Sequence, residues 1–439
     1  MRKVLTIAFD FPPRRTSGVY RPTGMVKHLV KLGWLPTVLT VRPLRGCLED
    51  ASLLQRIPNE VRTVRTGYLN LSGWEEPAGH GLRATGHLRP KVSGESQSRR
   101  DRFLRGAGEL VRSCLYFPDE TVGWVPFGFV KAIQLSMQQP FDVVYTTSPP
   151  RSSLVIGLLV KLFLRRPWVA EFRDPWYPPA RPWRRSFEAS LQAAILRRAD
   201  SVVVTAEGHK EELKRAFHVH DNKLVVIRNG FEESDFENLE DEPADFFERG
   251  YLHLSHFGTV YSGSSGTFFH ALGELVKECP EIRRFLRVNI VGYPDDTVRR
   301  HAEEGELREI IRLHAFLPHQ RVLSAMRSSG CLLLFLGKRD LSRLAVAGKA
   351  YEYMRVGRPI LAITYEGDLK QLVEQGHAGW AVHPDDKERI KQVLRTFIRN
   401  HQDHRGNATA DPEFVAQFRY EVLAAKLASV FEEVATDGR

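Results

Sequence analysis

A chain of 439 residues with 42% hydrophobic and 10% aromatic residues is too long for one ordinary core and too apolar for wholesale disorder, which points to two domains. The net charge of +10 is unevenly spread: residues 1–230 carry 36 Lys and Arg against 20 Asp and Glu, or +16, whereas residues 231–439 carry 27 against 33, or −6. A basic first half suits an anionic surface or acceptor, and without a zinc-finger, RNA-recognition or lone basic-helix pattern it does not argue for nucleic acid.

The chain opens with a short apolar run, VLTIAF at 4–9, which reads as a strand and not as a signal peptide. The turn-forming FPPRRTSG follows, then a helix from Arg21-Pro22 to Leu32 and a strand at 37–41, making a βαβ unit with a phosphate-type loop. Gly18 in that loop lets a ligand approach the backbone closely, although an ordinary strand-to-helix turn would also use it. Residues 70–112 lack a period and carry seven Lys or Arg between 83 and 105. They read as a mobile basic insertion, either a plain solvated loop or a cationic flap. Pro126 opens a helix, and DVVYTTSPP at 142–150 is a strand. SSLVIGLLVKLFL at 152–164 is too short for a bilayer span and is interrupted by Lys161, so it reads as a buried helix. WVAEF at 168–172 is a strand that ends in Arg173-Asp174-Pro175-Trp176. A helix through Arg198, a strand at 201–206, a helix at 208–216 and a strand at 224–230 complete a Rossmann-like domain over 1–230.

Residues 231–250 are acidic, contain Pro243 and read as a linker. A second alternating series spans 251–410: strands at 252–260, 287–292, 310–317, 331–336 and 360–363, and helices at 267–278, 296–306, 319–328 and from Lys349. A last helix, opened by Asp411-Pro412 and running to about 434, has Phe414, Phe418, Leu423, Leu427 and Phe431 on its apolar side. The four cysteines, Cys47, Cys114, Cys279 and Cys331, show no metal-ligand spacing, as expected of a reducing compartment.

The richest segment is VAGKAYEYMRVGRPILAI at 346–363. Lys349 falls in the first turn of a helix stopped by Gly357 and Pro359, where free N–H groups and the helix dipole favour an anion such as a phosphate. Glu352, one turn on, is placed to accept a sugar hydroxyl; a solvated helix face is the competing reading. In the first domain, Arg173 and Asp174 put charge at the carboxyl end of a strand, where it meets a ligand or pairs internally to pin the loop.

The 346–363 segment resembles the "KxxEY(L/M)xxGxPILA" signature of retaining family 4 glycosyltransferases, and PDETVGWVP, TTSPPRSS and WVAEFRDPW resemble their first-domain "PDxxxGWxP…SSPP…PWVxDFRDPW" pattern. The resemblance implies an α/β GT-B fold, two Rossmann-like domains facing each other across a cleft, with the C-terminal helix (411–439) crossing back to the first. It implies a hexosyltransferase-like enzyme that moves a sugar from a nucleotide-sugar co-substrate to a lipid-linked or polysaccharide acceptor with retention of configuration. Neither a resident cofactor nor a metal is implied, since no Asp-x-Asp element is present. Gly18, Gly258, Ser262, Lys349 and Glu352 fall to the donor, Arg173 and Asp174 to catalysis, and Arg21 and Trp176 to the acceptor. Arg173 stands where many relatives carry a histidine. A cytoplasmic location at the inner face of a membrane is expected, with segments 151–166 and 181–198 mixing basic and apolar residues toward anionic lipid. Two departures stand out. The loop GTVYSGSSG lacks the Arg and Lys that relatives use on the diphosphate, and Leu344 replaces a second carboxylate eight residues before Glu352. They keep two other readings open, an inactive glycosyltransferase-like scaffold and a nucleotide-sugar epimerase of the same fold.

Overall fold

The computed structural model describes residues 1–43, 46–69, 115–176, 182–237, 239, 245–260, 263, 265–336, 344–403 and 410–437. The basic segment 70–112 lies outside them. The chain forms two compact units, one of Met1–Thr205, Leu213–Ile227 and Leu423–Arg439, the other of Ala206–Glu212 and Arg228–Val422.

The first unit is built on a parallel sheet of β1 (Arg2–Ala8), β2 (Trp34–Val41), β3 (Arg62–Thr66), β4 (Val143–Ser148), β5 (Trp168–Phe172), β6 (Ser201–Val204) and β7 (Leu224–Val226), in the order β3-β2-β1-β4-β5-β6-β7. Helices α1 (Tyr20–Lys31), α2 (Val125–Gln138), α3 (Arg151–Leu164), α4 (Pro182–Arg198) and α5 (Glu207–Phe217) alternate with these strands. Both faces of the central strands are covered, so β4 and β5 are buried at every position, their polar residues Thr146, Thr147, Ser148 and Glu171 included. The strand order reverses between β1 and β4, where open α/β sheets take their ligands.

Residues of the PDETVGWVP passage brace this switch point. Asp119 accepts from the Ser152 amide (2.9 Å) and hydroxyl (2.7 Å), satisfying the start of α3 from 33 residues away. Trp124 is fully buried, and its indole donates to Thr66 Oγ1 at 2.7 Å.

The second unit repeats the plan with β8 (Leu252–Thr259), β9 (Leu286–Tyr293), β10 (Ile311–His314), β11 (Cys331–Phe335), β12 (Ile360–Ile363) and β13 (Gly379–Val382), in the order β10-β9-β8-β11-β12-β13, all parallel. Its helices are α6 (Ser234–Glu237), α7 (Gly266–Glu278), α8 (Asp296–Glu303), α9 (His319–Ser328), α10 (Lys349–Val356), α11 (Asp368–Gln375), α12 (Lys387–Gln402) and α13 (Pro412–Ala416). The two-residue period of a strand divides its side chains between two cores: Cys331, Leu333 and Phe335 of β11 enter one, Leu332 and Leu334 the other.

Two expectations meet a different arrangement. The acidic segment 231–250 is more than a linker, because Phe231 and Phe236 enter the second unit's core, Phe246 stacks on His314 at 3.9 Å and Glu248 pairs with Arg287 at 2.6 Å. The single C-terminal helix is two, α13 and α14 (Tyr420–Asp437). From Leu423 onward α14 belongs to the first unit, with Phe431 against Trp34 (5.2 Å between rings) and Tyr145 (5.5 Å).

Candidate functional site

In the second unit the switch point lies between β8 and β11, and there the structure brings Gly258 and Lys349 together. The Lys349 ammonium donates to the carbonyl of Phe257. Gly258 has φ +113°, and a Cβ there would collide with Lys349 Nζ, so glycine serves both backbone and neighbour. Tyr353, one helical turn after Lys349, has its hydroxyl oxygen accept from the Phe257 amide at 3.0 Å. The i, i+4 spacing thus lets α10 grip both main-chain polar groups of one residue, Phe257, near the end of β8. Burial pushes the Lys349 ammonium down to about 8, with Glu352 pulling it back. Burial and then the Lys349 charge push His256, on β8, down to about 3, so it stands neutral beside the lysine.

Glu352 sits between α10 and α9. Its Oε1 lies 2.9 Å from His319 Nε2, while the other ring nitrogen lies 3.8 Å from Asp235 Oδ2. A histidine between two carboxylates holds Glu352 in one orientation. Ser262 lies outside the described residues. Sequence reasoning missed Tyr353 and His319. The Lys-to-Tyr spacing held a signal for the first; the second meets its partner 33 residues away, with no local trace.

In the first unit Arg173 is 8% exposed and donates to three carbonyls: Gly18 (2.7 Å), Pro149 (2.8 Å) and Ser148 (3.1 Å). The Arg173 carbonyl in turn accepts from Thr205 Oγ1 at 2.6 Å. One guanidinium thereby fastens the loops that follow β1 and β4 to the end of β5. Gly18 takes part through its carbonyl, and a Cβ on it would come within 2.6 Å of Asp10 Oδ2. Asp174 is exposed to solvent, and desolvation raises its carboxyl above the usual range against the opposing Arg173 charge.

Arg21, expected at the acceptor, is instead an interior counterion. It is 3% exposed, with Nη2 2.8 Å from both Glu171 Oε1 and the Ile227 carbonyl. Burial alone would raise the Glu171 carboxyl, but the Arg21 charge and the Arg21 and Thr147 hydrogen bonds outweigh it and hold Glu171 below the usual range. Trp176 is half-buried, tilted on Phe172 at 5.7 Å, with the Arg151 guanidinium 4.7 Å from its ring centre.

Two family models cover most of the chain: a glycosyl transferase 4-like domain over residues 19–230 and a glycosyl transferases group 1 domain over residues 259–400. The chain is a glycosyltransferase, 4-like in its first half and group 1 in its second. The chain is 28% identical over 153 residues to WcaL of Salmonella typhimurium, whose name gives it as a colanic acid biosynthesis glycosyltransferase, a match spanning 34% of this chain and 37% of that protein. Among solved structures, sucrose-phosphate synthase from Thermosynechococcus elongatus matches over all of both chains with a TM-score of 0.65 at 14% identity. Anabaena HepE, solved in complex with UDP and glucose, matches over 99% of this chain and 100% of its own, with a TM-score of 0.62 at 16% identity. At such identities the likeness is one of fold, and the fold of this glycosyltransferase is GT-B, with two Rossmann-like domains.

Proposed function

We propose that the chain is a nucleotide-sugar-dependent hexosyltransferase that acts with retention of anomeric configuration on a lipid-linked or polysaccharide acceptor. The observation that carries this reading is the placement of Lys349 beside Gly258 at the second unit's switch point, a cation in the first turn of a helix. In this reading Lys349 and the loop amides neutralise the departing diphosphate, and Glu352, steadied by His319, accepts a donor hydroxyl. Loss of the diphosphate from the anomeric carbon gives an oxocarbenium-like transition state, so preorganised charge at the leaving group is the main catalytic device. With no Asp-x-Asp element in the sequence, the neutralisation is assigned to protein groups and not to a metal. Arg173 fixes the first unit's loops, Asp174 orients the acceptor hydroxyl, and Trp176 offers a face for a sugar ring.

The UDP complex of HepE supports testing UDP first, and the colanic acid biosynthesis role in WcaL's name supports a saccharide acceptor. Calorimetric titration with UDP, GDP, ADP and dTDP tests the donor site. One diphosphate is expected to bind, with affinity reduced about tenfold or more in Lys349→Ala, the scale of a lost charge-assisted contact. No binding to any of the four would favour the inactive scaffold, the reading that the cation-free loop GTVYSGSSG and Leu344 keep alive.

A further inference from the structure

The first unit carries an apolar outer face on two adjacent helices. α2 turns Gly128, Ala132 and Leu135 inward and leaves Phe127, Val130 and Met137 exposed, Met137 at 80%. Spacings of three and seven residues keep those three on one stripe. α3 exposes Leu162 and Phe163, the latter at 67%, and Phe163 meets Phe129 of α2 edge-on at 6.1 Å. A surface helix ordinarily turns charge outward, yet neither VPFGFVKAIQLSMQ nor RSSLVIGLLVKLFL contains one Asp or Glu. Exposed cations follow α3 (Arg165 and Arg166) and end α4 (Arg197 and Arg198), and Lys161 of α3 is paired with Asp200 just beyond α4 at 2.6 Å.

We propose that the outer face of α2 and α3 is a docking surface for an anionic lipid bilayer. Charge selects this occupant. A second copy of the chain would bring the same arginines toward each other, and a nucleic acid would leave the Phe, Met and Leu side chains unexplained. A bilayer accounts for both features, since the apolar stripe enters the boundary between head groups and acyl chains while the arginines remain at the phosphates. Segment 151–166 was legible as basic and apolar; α2 is the larger part of the face and holds one Lys, so its role shows only in its exposure. The inference deepens the lipid-linked part of the proposed acceptor, but it rests on a separate observation and does not require the donor site.

Co-flotation of the full chain with phosphatidylcholine vesicles, with and without phosphatidylglycerol, tests it. Binding is expected only to the phosphatidylglycerol vesicles and should weaken as salt rises. Phe127→Glu/Phe163→Glu and, separately, Arg165→Glu/Arg166→Glu should each bind about tenfold or more weakly, because two large side chains or two charges are removed from the contact. An unchanged tryptophan-fluorescence midpoint in denaturant for both variants shows that the first unit, which holds buried Trp34, Trp124 and Trp168, is folded, and nucleoside diphosphate binding without vesicles tests the donor site independently. Failure of the wild-type chain to float, equal flotation with neutral vesicles, or unchanged flotation of both variants would overturn the proposal. So would a wild-type dimer that Phe127→Glu/Phe163→Glu converts to monomer.

Discussion

At the scale of single residues, Lys349 links structure to a measurable pH profile. Its ammonium has been brought down to about 8, so it carries its full charge below that pH and loses it above. An anion held by the charged form should bind with constant affinity up to about pH 8 and then weaken by up to about tenfold per unit. Lys349→Arg, whose guanidinium stays charged, should bind more weakly at neutral pH but show a flat profile there. A profile equally steep in both proteins would remove Lys349 as the titrating group. His319 makes a second residue-scale prediction. Its ring contacts Glu352 at 2.9 Å, so His319→Ala should free that carboxylate and weaken nucleotide-sugar binding about three- to thirtyfold, with binding of the bare diphosphate nearly unchanged. Equal losses for both ligands would show that the histidine supports the loop as a whole.

At the scale of elements, what the sequence disclosed depended on where each strand lies in its sheet. The interior strands β4, β5, β11 and β12 are buried at every position because both faces are covered, and all were legible as runs even though β4 and β5 carry Thr146, Thr147, Ser148 and Glu171. Of the four edge strands, β7 and β10 were foreseen, but β3, RTVRT, and β13, GWAV, are short and only partly buried, and neither was. Acidity made 231–250 read as a linker, but its phenylalanines pack. The Lys349 to Gly258 meeting was foreshadowed by the helix-start pattern, whereas the Arg21 to Glu171 pair depends on residues 150 positions apart and had no local sign. Packing of 245–250 over the edge of the second sheet also predicts acid sensitivity. Burial, then Arg312 and His253, push His314 down to about 4, and His253 is lowered as well. Both resist protonation in the folded chain but accept it when unfolded, so the unfolded state binds more protons between about pH 6.5 and 4. Stability should be complete above that window and fall within it as pH drops, by at most about 3 kcal/mol for His314. His314→Phe, which preserves a ring for Phe246, should flatten this limb in denaturant titrations taken across the window. Unchanged acid sensitivity would place the cause elsewhere.

At the scale of the whole molecule, the chain closes its first unit with its last residues. Leu423–Arg439 counts with β1 to β7 and not with the unit that precedes it in sequence, and Phe431 is fully buried against Trp34 and Tyr145. Removing such a ring leaves a cavity lined by two other rings, so Phe431→Ala should cost the first unit about 3–5 kcal/mol. The tryptophans make this readable: Trp34, Trp124 and Trp168 are all buried in the first unit, and the second unit holds Trp380. Tryptophan fluorescence in a denaturant titration therefore follows mainly the first unit, while nucleoside diphosphate binding at low denaturant follows the second. In Phe431→Ala the fluorescence midpoint should fall, with diphosphate affinity in buffer unchanged. An unshifted midpoint would mean that α14 adds nothing to the first unit's stability. A fall in both would mean that loss of a C-terminal ring reaches the Lys349 loop, so that the two units, each with its own sheet and core, are one cooperative structure.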